Sequence, residues 1–288
     1  MFALNGLQAM LLSTLFFAGM NVCVKLLPRI PAHEIVFFRS LGMFLICFTL
    51  LKRQGIPMVR VSHRWDLFLR GAFGTCGLLA YFYTLKHMGF APAVTLQYLN
   101  PIFATVLAVF ILNESVRWFQ WFFFGLSCVG VWWVKGFSGN ISPFYLVTGV
   151  LSAFFSGLAY NYVRKLRGNA HPMVVIFYFA LVTLVFVGPY TFSHWVWPTG
   201  TEWVFLGLVG ALTYLAQFLM TQAYQSERMA IVSNLNYLGL VYALVLGYFL
   251  FDEAVSWQAL MGMVLIVLGV VLGSNRKIHS WLSFWVKA

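Results

Sequence analysis

Two short phrases carry most of the hydrogen-bonding chemistry in this sequence: LQYLNP, from Leu96 to Pro101, and NLNYL, from Asn234 to Leu238. Each sets amides and a phenol inside a long apolar run. The groups are Gln97, Tyr98 and Asn100 in the first, and Asn234, Asn236 and Tyr237 in the second. Such groups hold a solute by hydrogen bonding and supply no nucleophile or general base near neutral pH. Polar side chains in an apolar segment are costly unless they face a cavity or a neighbouring helix. Pro101 has no amide to donate, so the Gln97 carbonyl loses its helical partner. A bent helix with a free carbonyl suits a binding site; a structural kink filled by its neighbours is the other reading.

More amides and phenols lie in other apolar runs: Asn21, Tyr81, Tyr83, Tyr160, Asn161, Tyr214, Gln217 and Gln222. Each could bond helix to helix or face a solute. Arg39, in FFRSLG, sits a few residues inside an apolar run. It either snorkels to the surface or faces a cavity and holds an anionic group. The candidate substrate-binding set is therefore Tyr98, Tyr237, Gln97, Asn100, Asn236, Tyr81, Asn21, Asn161, Gln217 and Arg39. Tyr98 and Tyr237 are its central pair.

Catalytic patterns are missing. There is no HExxH, GxSxG or Walker A loop, and GAFGTCG follows no strand. The chain thus reads as a non-enzyme without an ATP site. Cys23, Cys47, Cys76 and Cys128 form neither CxxC nor His-paired spacings, so no metal, cofactor or disulfide is expected. All seven acidic residues and all six histidines fall at the ends of apolar runs or between them. A proton relay through a mid-membrane carboxylate is not expected, which favours facilitation or exchange. Glu114 and Glu253 read as helix-end residues that fix a turn or pair with an Arg.

The elements that must position these groups are membrane helices. The chain is 61% hydrophobic and 9% charged, against about 25% charged in soluble domains. Ten apolar runs are long enough to be read as spans: Gly6–Leu26, Ile35–Leu51, Leu67–Leu85, Pro92–Leu112, Phe119–Val134, Tyr145–Val163, Met173–Phe192, Trp203–Thr221, Ala230–Phe251 and Trp257–Gly273. The first is expected to be retained, since it lacks the basic start of a signal peptide. Alternate links hold 13 of the 18 Lys and Arg residues. The densest group is Lys52, Arg53, Arg60, Arg64 and Arg70 between the second and third spans. This bias predicts an inner-membrane protein with both termini cytoplasmic. The net charge of +11 is spread between spans rather than gathered on a basic face, so nucleic acid is not an expected partner. In the tail, Trp281, Leu282, Phe284 and Trp285 share a helical face and suit an interfacial helix; a disordered tail fits as well.

Shifting the chain by 139 residues aligns Ala91–Val131 with a second copy of itself. Of 41 positions 14 are identical, among them Tyr98/Tyr237, Glu114/Glu253, Trp118/Trp257 and Gly130/Gly269. Asn21 and Lys25 match Asn161 and Lys165 with one residue of slippage. The chain is a tandem duplication. Five spans per copy is an odd number, so the second copy enters the membrane inverted. The predicted fold is all-α and integral to the membrane, with ten transmembrane helices in two inverted five-helix repeats. Residues 1–136 form the first repeat, 137–275 the second, and 276–288 a cytoplasmic tail. Inverted repeats favour a transporter with its site near the midplane.

The phrases LQYLNPIFATVLAVFILNE and LNYLGLVYALVLGYFLFDE, each ending an apolar run in Glu, resemble those of EamA-type proteins in the drug/metabolite transporter superfamily. The resemblance covers essentially the whole chain. It implies ten helices around a central cavity that moves small molecules such as amino acids or drugs across the inner membrane. One departure from internal symmetry is Leu240 at the place of Pro101, so helix 9 is expected to lack the helix 4 kink. The leading expectation is a secondary transporter, embedded in the lipid bilayer, that exports a small-molecule substrate such as an amino-acid-like or amphipathic metabolite by alternating access. The alternatives are efflux of multiple drugs or cationic compounds, and a non-transporting scaffold or lipid-handling protein. One chain encloses a path, so a monomer suffices.

Overall fold

The computed structural model describes residues 5–57, 63–88, 96–114, 121–122, 125–126, 128–129, 142–251, 257, 261–262, 264–265 and 267–269. Every regular element among them is a helix: α1 Gly6–Lys25, α2 Ala32–Arg53, α3 Arg64–Met88, α4 Asn100–Ile111, α5 Pro143–Lys165, α6 Pro172–Ser193, α7 Glu202–Ser226, α8 Met229–Leu235 and α9 Leu238–Phe251. Five of these, α1, α2, α5, α6 and α7, are long and apolar enough to cross a bilayer. The expected spans Phe119–Val134 and Trp257–Gly273 lie largely outside the described residues, and the tail 276–288 lies wholly outside.

Local sequence sets the helix ends. Asn5 and Gln8 form a reciprocal capping box at the start of α1. Pro143 and Pro172 occupy first-turn positions of α5 and α6, where a missing amide is harmless. Outward faces carry large apolar side chains such as Leu45, Val185, Phe186 and Phe192. In water such a surface would be an aggregation hazard; in lipid it is the solvated face.

The packing repeats itself when the two halves are exchanged. α1 packs on α7 as α5 packs on α3, α2 on α7 as α6 on α3, and α4 on α5 as α9 on α1, while α2 and α6 pack on each other. Side chains follow the same rule. Ser13 donates to the Ala216 carbonyl at 2.8 Å, and Ser152 lies 2.9 Å from the Gly77 carbonyl. Ser152 and Ala216 are each 139 residues beyond Ser13 and Gly77. The α2–α7 crossing is so close that a Cβ on Gly42 would sit 2.8 Å from the Gly210 Cα. Its counterpart places Gly71 of α3 against Val182 of α6.

The exchange also inverts the helices. α7 spans 25 residues, about 37 Å at 1.5 Å per residue, so its ends lie on opposite sides of a bilayer core. Just past α1, Arg29 pairs with Glu202 at the start of α7. At the end of α5, Arg164 donates to the carbonyls of Tyr224 and Gln225 near the end of α7. Equivalent helices therefore finish on opposite sides.

The expected helix 4 and helix 9 are both broken, and one expectation needs correcting. Residues 98–99 form a turn before α4, and residues 236–237 form a turn between α8 and α9. Helix 9 thus breaks without a proline. Tyr237 N donates to Asn234 O and Gly239 N to Asn236 O, three residues back in each case. These tighter bonds unwind one turn. The Asn234 amide meanwhile reaches the Gly269 carbonyl.

Candidate functional site

The breaks face a cavity of about 260 Å³ where the two repeats meet. Helices α1 to α4 contribute one part of the wall, and α5, α6, α7 and the α8–α9 turn the other. Their polar side chains arrive from both ends of the bundle. Arg39 lies seven residues past the start of α2 and Arg70 six past the start of α3, roughly 10 Å inside their helices.

Arg70 is 2% exposed. Its Nη2 donates to Gln217 Oε1 at 3.3 Å, and its guanidinium lies over the Phe179 ring, 4.2 Å from the centroid. Gly74, one turn further on, leaves the room: a Cβ there would strike Arg70 Nη1 and the edge of Phe179. Arg39 is 7% exposed, and its Nε has no hydrogen-bond partner among the described residues; neither has Arg70 Nε. Tyr160 is an electrostatic neighbour of both cations. Among the described residues, no carboxylate lines the cavity.

The neutral groups are held in place by α5 and α7. Gln97 Nε2 donates to Ser156 Oγ at 3.1 Å, and its Oε1 lies 2.7 Å from Ser152 Oγ. The Asn236 amide donates to the Tyr224 hydroxyl at 2.8 Å, and Tyr224 stacks on Tyr160 with centroids 5.0 Å apart. Asn100 is nearly buried, and its Oδ1 has no partner among the described residues.

Of the residues expected from sequence, Tyr98, Gln97, Asn100, Asn236, Tyr81, Asn21, Gln217 and Arg39 line this cavity, and Tyr237 and Asn161 do not. Tyr237 is fully buried behind Tyr98, with ring centroids 6.0 Å apart and its hydroxyl 3.1 Å from Cys128 Sγ. Asn161 donates to the carbonyls of Ala104 and Gly157, fastening α5 to α4.

Arg70 requires a correction. It is not part of the basic link between the second and third spans; α3 begins at Arg64 and carries it well inside. Its position three residues into the predicted span Leu67–Leu85 was the available signal, the same one that drew attention to Arg39. Ser156, Phe179 and Thr14 also line the cavity, and nothing in their types marks them out.

Two stretches, residues 4–135 and 143–274, match the EamA-like transporter family. This chain belongs to that family. It is similar to the pseudopaline exporter CntI of Pseudomonas aeruginosa strain UCBPP-PA14, with 32% identity covering 95% of this chain and 97% of that one. It is also similar to the S-adenosylmethionine uptake transporter of Rickettsia felis, at 26% identity over 92% and 90% of the two chains. A solved crystal structure shares the fold with a TM-score of 0.84 at 17% identity, covering 96% of this chain and 98% of the other. The chain is a membrane-embedded transporter of this family.

Proposed function

We propose that this protein is a secondary transporter that exports a small metabolite across the inner membrane, by alternating access around the cavity between its repeats. The observation that carries the reading is the placement of that cavity. Both repeats line it, and the helices around it obey an exchange symmetry, which supports two equivalent ways to open. The bias of Lys and Arg supports a cytoplasmic position for the end holding Arg164 and Glu114 and for both termini. The 32% identity to a chain named as an exporter supports the outward direction; the uptake transporter of R. felis carries its solute on a related sequence. One copy of the chain supplies lining from both repeats, which supports a monomer as sufficient.

Efflux of cationic drugs draws support from the aromatic walls, which include Phe17, Tyr81, Phe82 and Phe179. Two buried arginines in the same wall weigh against it. The test is counterflow in liposomes holding the purified full-length protein. Unlabelled solute inside is expected to accelerate entry of the same labelled solute, saturably, for one class among amino acids, organic acids, nucleosides and cationic drugs. Flux equal to that of protein-free liposomes for every class would reject the transport reading.

A further inference from the structure

We propose that the substrate is a small organic anion with at least two carboxylates, taken by Arg39 and Arg70, and with an amino or hydroxyl donor for Asn100. This rests on the reading of the central cavity as the substrate site, and it names the chemistry of what enters.

The argument is one of charge and satisfaction. A guanidinium in a membrane interior is costly, and such groups are normally paired with a carboxylate or with backbone carbonyls. Here two are buried in one wall, at 7% and 2% exposure, and the wall holds no carboxylate among the described residues. Among the described residues, Arg70 has one amide oxygen and one ring face, and each arginine keeps an unpartnered Nε. Guanidinium forks match carboxylates in a bidentate way. Among the described residues the empty cavity therefore lacks two countercharges, and a ligand with two carboxylates supplies them. Asn100 Oδ1 is buried and unpartnered among the described residues, so it accepts a hydrogen bond from the ligand. The rings of Tyr98 and Phe179 pack the carbon frame. A cation would meet two like charges here and be rejected.

The buried charges also predict an unusual stability signature. A structural arginine stabilises the empty protein. An arginine reserved for a ligand destabilises it, because its desolvation is compensated only when substrate is bound.

The experiment is titration calorimetry of the detergent-purified full-length chain with L-glutamate, L-glutamine, citrate and putrescine, beside thermal unfolding of the empty protein. Glutamate and citrate are expected to bind, glutamine roughly tenfold or more weakly, and putrescine not at all. In Arg39→Gln and Arg70→Gln the preference for glutamate over glutamine should vanish, and the empty variants should melt higher than wild type. Arg39→Lys, which keeps the charge and loses the fork, should retain the preference with weaker binding. Equal binding of acid, amide and diamine overturns the proposal. So does binding of none of the four, or arginine variants that melt lower and keep the wild-type preference. Counterflow separates this from the broader reading. Acid binding without counterflow of any solute removes the transport function and leaves the anion site. Counterflow of neutral or cationic solutes, indifferent to Arg39→Gln, does the reverse.

Discussion

The Arg70 guanidinium stacks on Phe179, and Phe179 is the repeat counterpart of Arg39. Both occupy the eighth position of their helices, α2 starting at Ala32 and α6 at Pro172. The backbone is thus symmetric where the charge is not. Among the described residues, the first repeat supplies both cations that line the cavity and the second supplies the ring beneath one of them. In the proposed cycle the symmetric packing would serve two related conformations, and the asymmetric side chains would select one kind of occupant. A cation–π contact of this sort contributes on the order of 0.5–2 kcal/mol.

Gly74 exists to seat that guanidinium. Alanine there is expected to push Arg70 off Phe179 while α3 itself gains helix propensity, about 1 kcal/mol. Gly74→Ala should therefore fold normally and lose most of its transport. Initial counterflow rate and the thermal midpoint of the same preparation check this. Unchanged counterflow would show that Arg70 has no bearing on the path.

Ser13 and Ser152 make equivalent interhelical contacts, and among the described hydrogen bonds Ser152 alone also reaches a cavity residue, Gln97. Ser13→Ala and Ser152→Ala should each destabilise by about 0.5–1.5 kcal/mol. Only Ser152→Ala should weaken substrate binding as well. Parallel thermal unfolding and ligand titration of the two variants separate the shared effect from the private one.

Glu114 ties three elements together at the end of the bundle where α5 and α7 finish. It takes Arg164 Nε at 2.8 Å and caps the amide of Met229 at 3.0 Å, while Arg164 holds two carbonyls of α7. With 9% and 17% side-chain exposure, the pair is shielded enough for its loss to cost about 1–3 kcal/mol. Glu114→Gln and Arg164→Lys should each loosen this end, and the double variant should be no worse than the sum of the two. A double-mutant cycle on the unfolding midpoint measures the coupling.

His171 caps α6, accepting the Met173 amide on Nδ1 at 3.3 Å. Burial pushes its imidazole below the ordinary value. The folded state therefore resists a proton that the unfolded chain accepts. Its contribution is intact above the unfolded pKa, near 6.5, and is lost as pH falls through that value toward the folded one. His171→Asn keeps a capping acceptor without a titration, so its melting temperature should fall less than that of wild type between about pH 7.5 and 5.5.

Much of this was legible in the chain itself. Run lengths and the 139-residue shift revealed the helices and their duplication, because bilayer thickness and Tyr–Glu–Trp register leave few alternatives. The wall positions of Gln97, Tyr98, Asn100 and Asn236 followed from their cost in lipid. Arg70 groups in sequence with Arg60 and Arg64, which precede it, although the predicted span Leu67–Leu85 already contains it. The break at Asn236 was hidden too, since bonds to the third residue back produce it without a proline. Asn161 bonds α5 to α4 and Tyr237 packs behind Tyr98, placements set by helix rotation and by the turn at 236–237 rather than by composition.

The central claim is that one cavity opens to both sides of the membrane, and cysteine accessibility tests it most directly. Ser156→Cys, in a background with Cys23, Cys47, Cys76 and Cys128 replaced by alanine, places a thiol on the cavity wall. A membrane-impermeant maleimide should label it in both right-side-out and inside-out vesicles, and transported solute should slow the labelling. Labelling from one side only, or from neither, would contradict alternating access through this cavity.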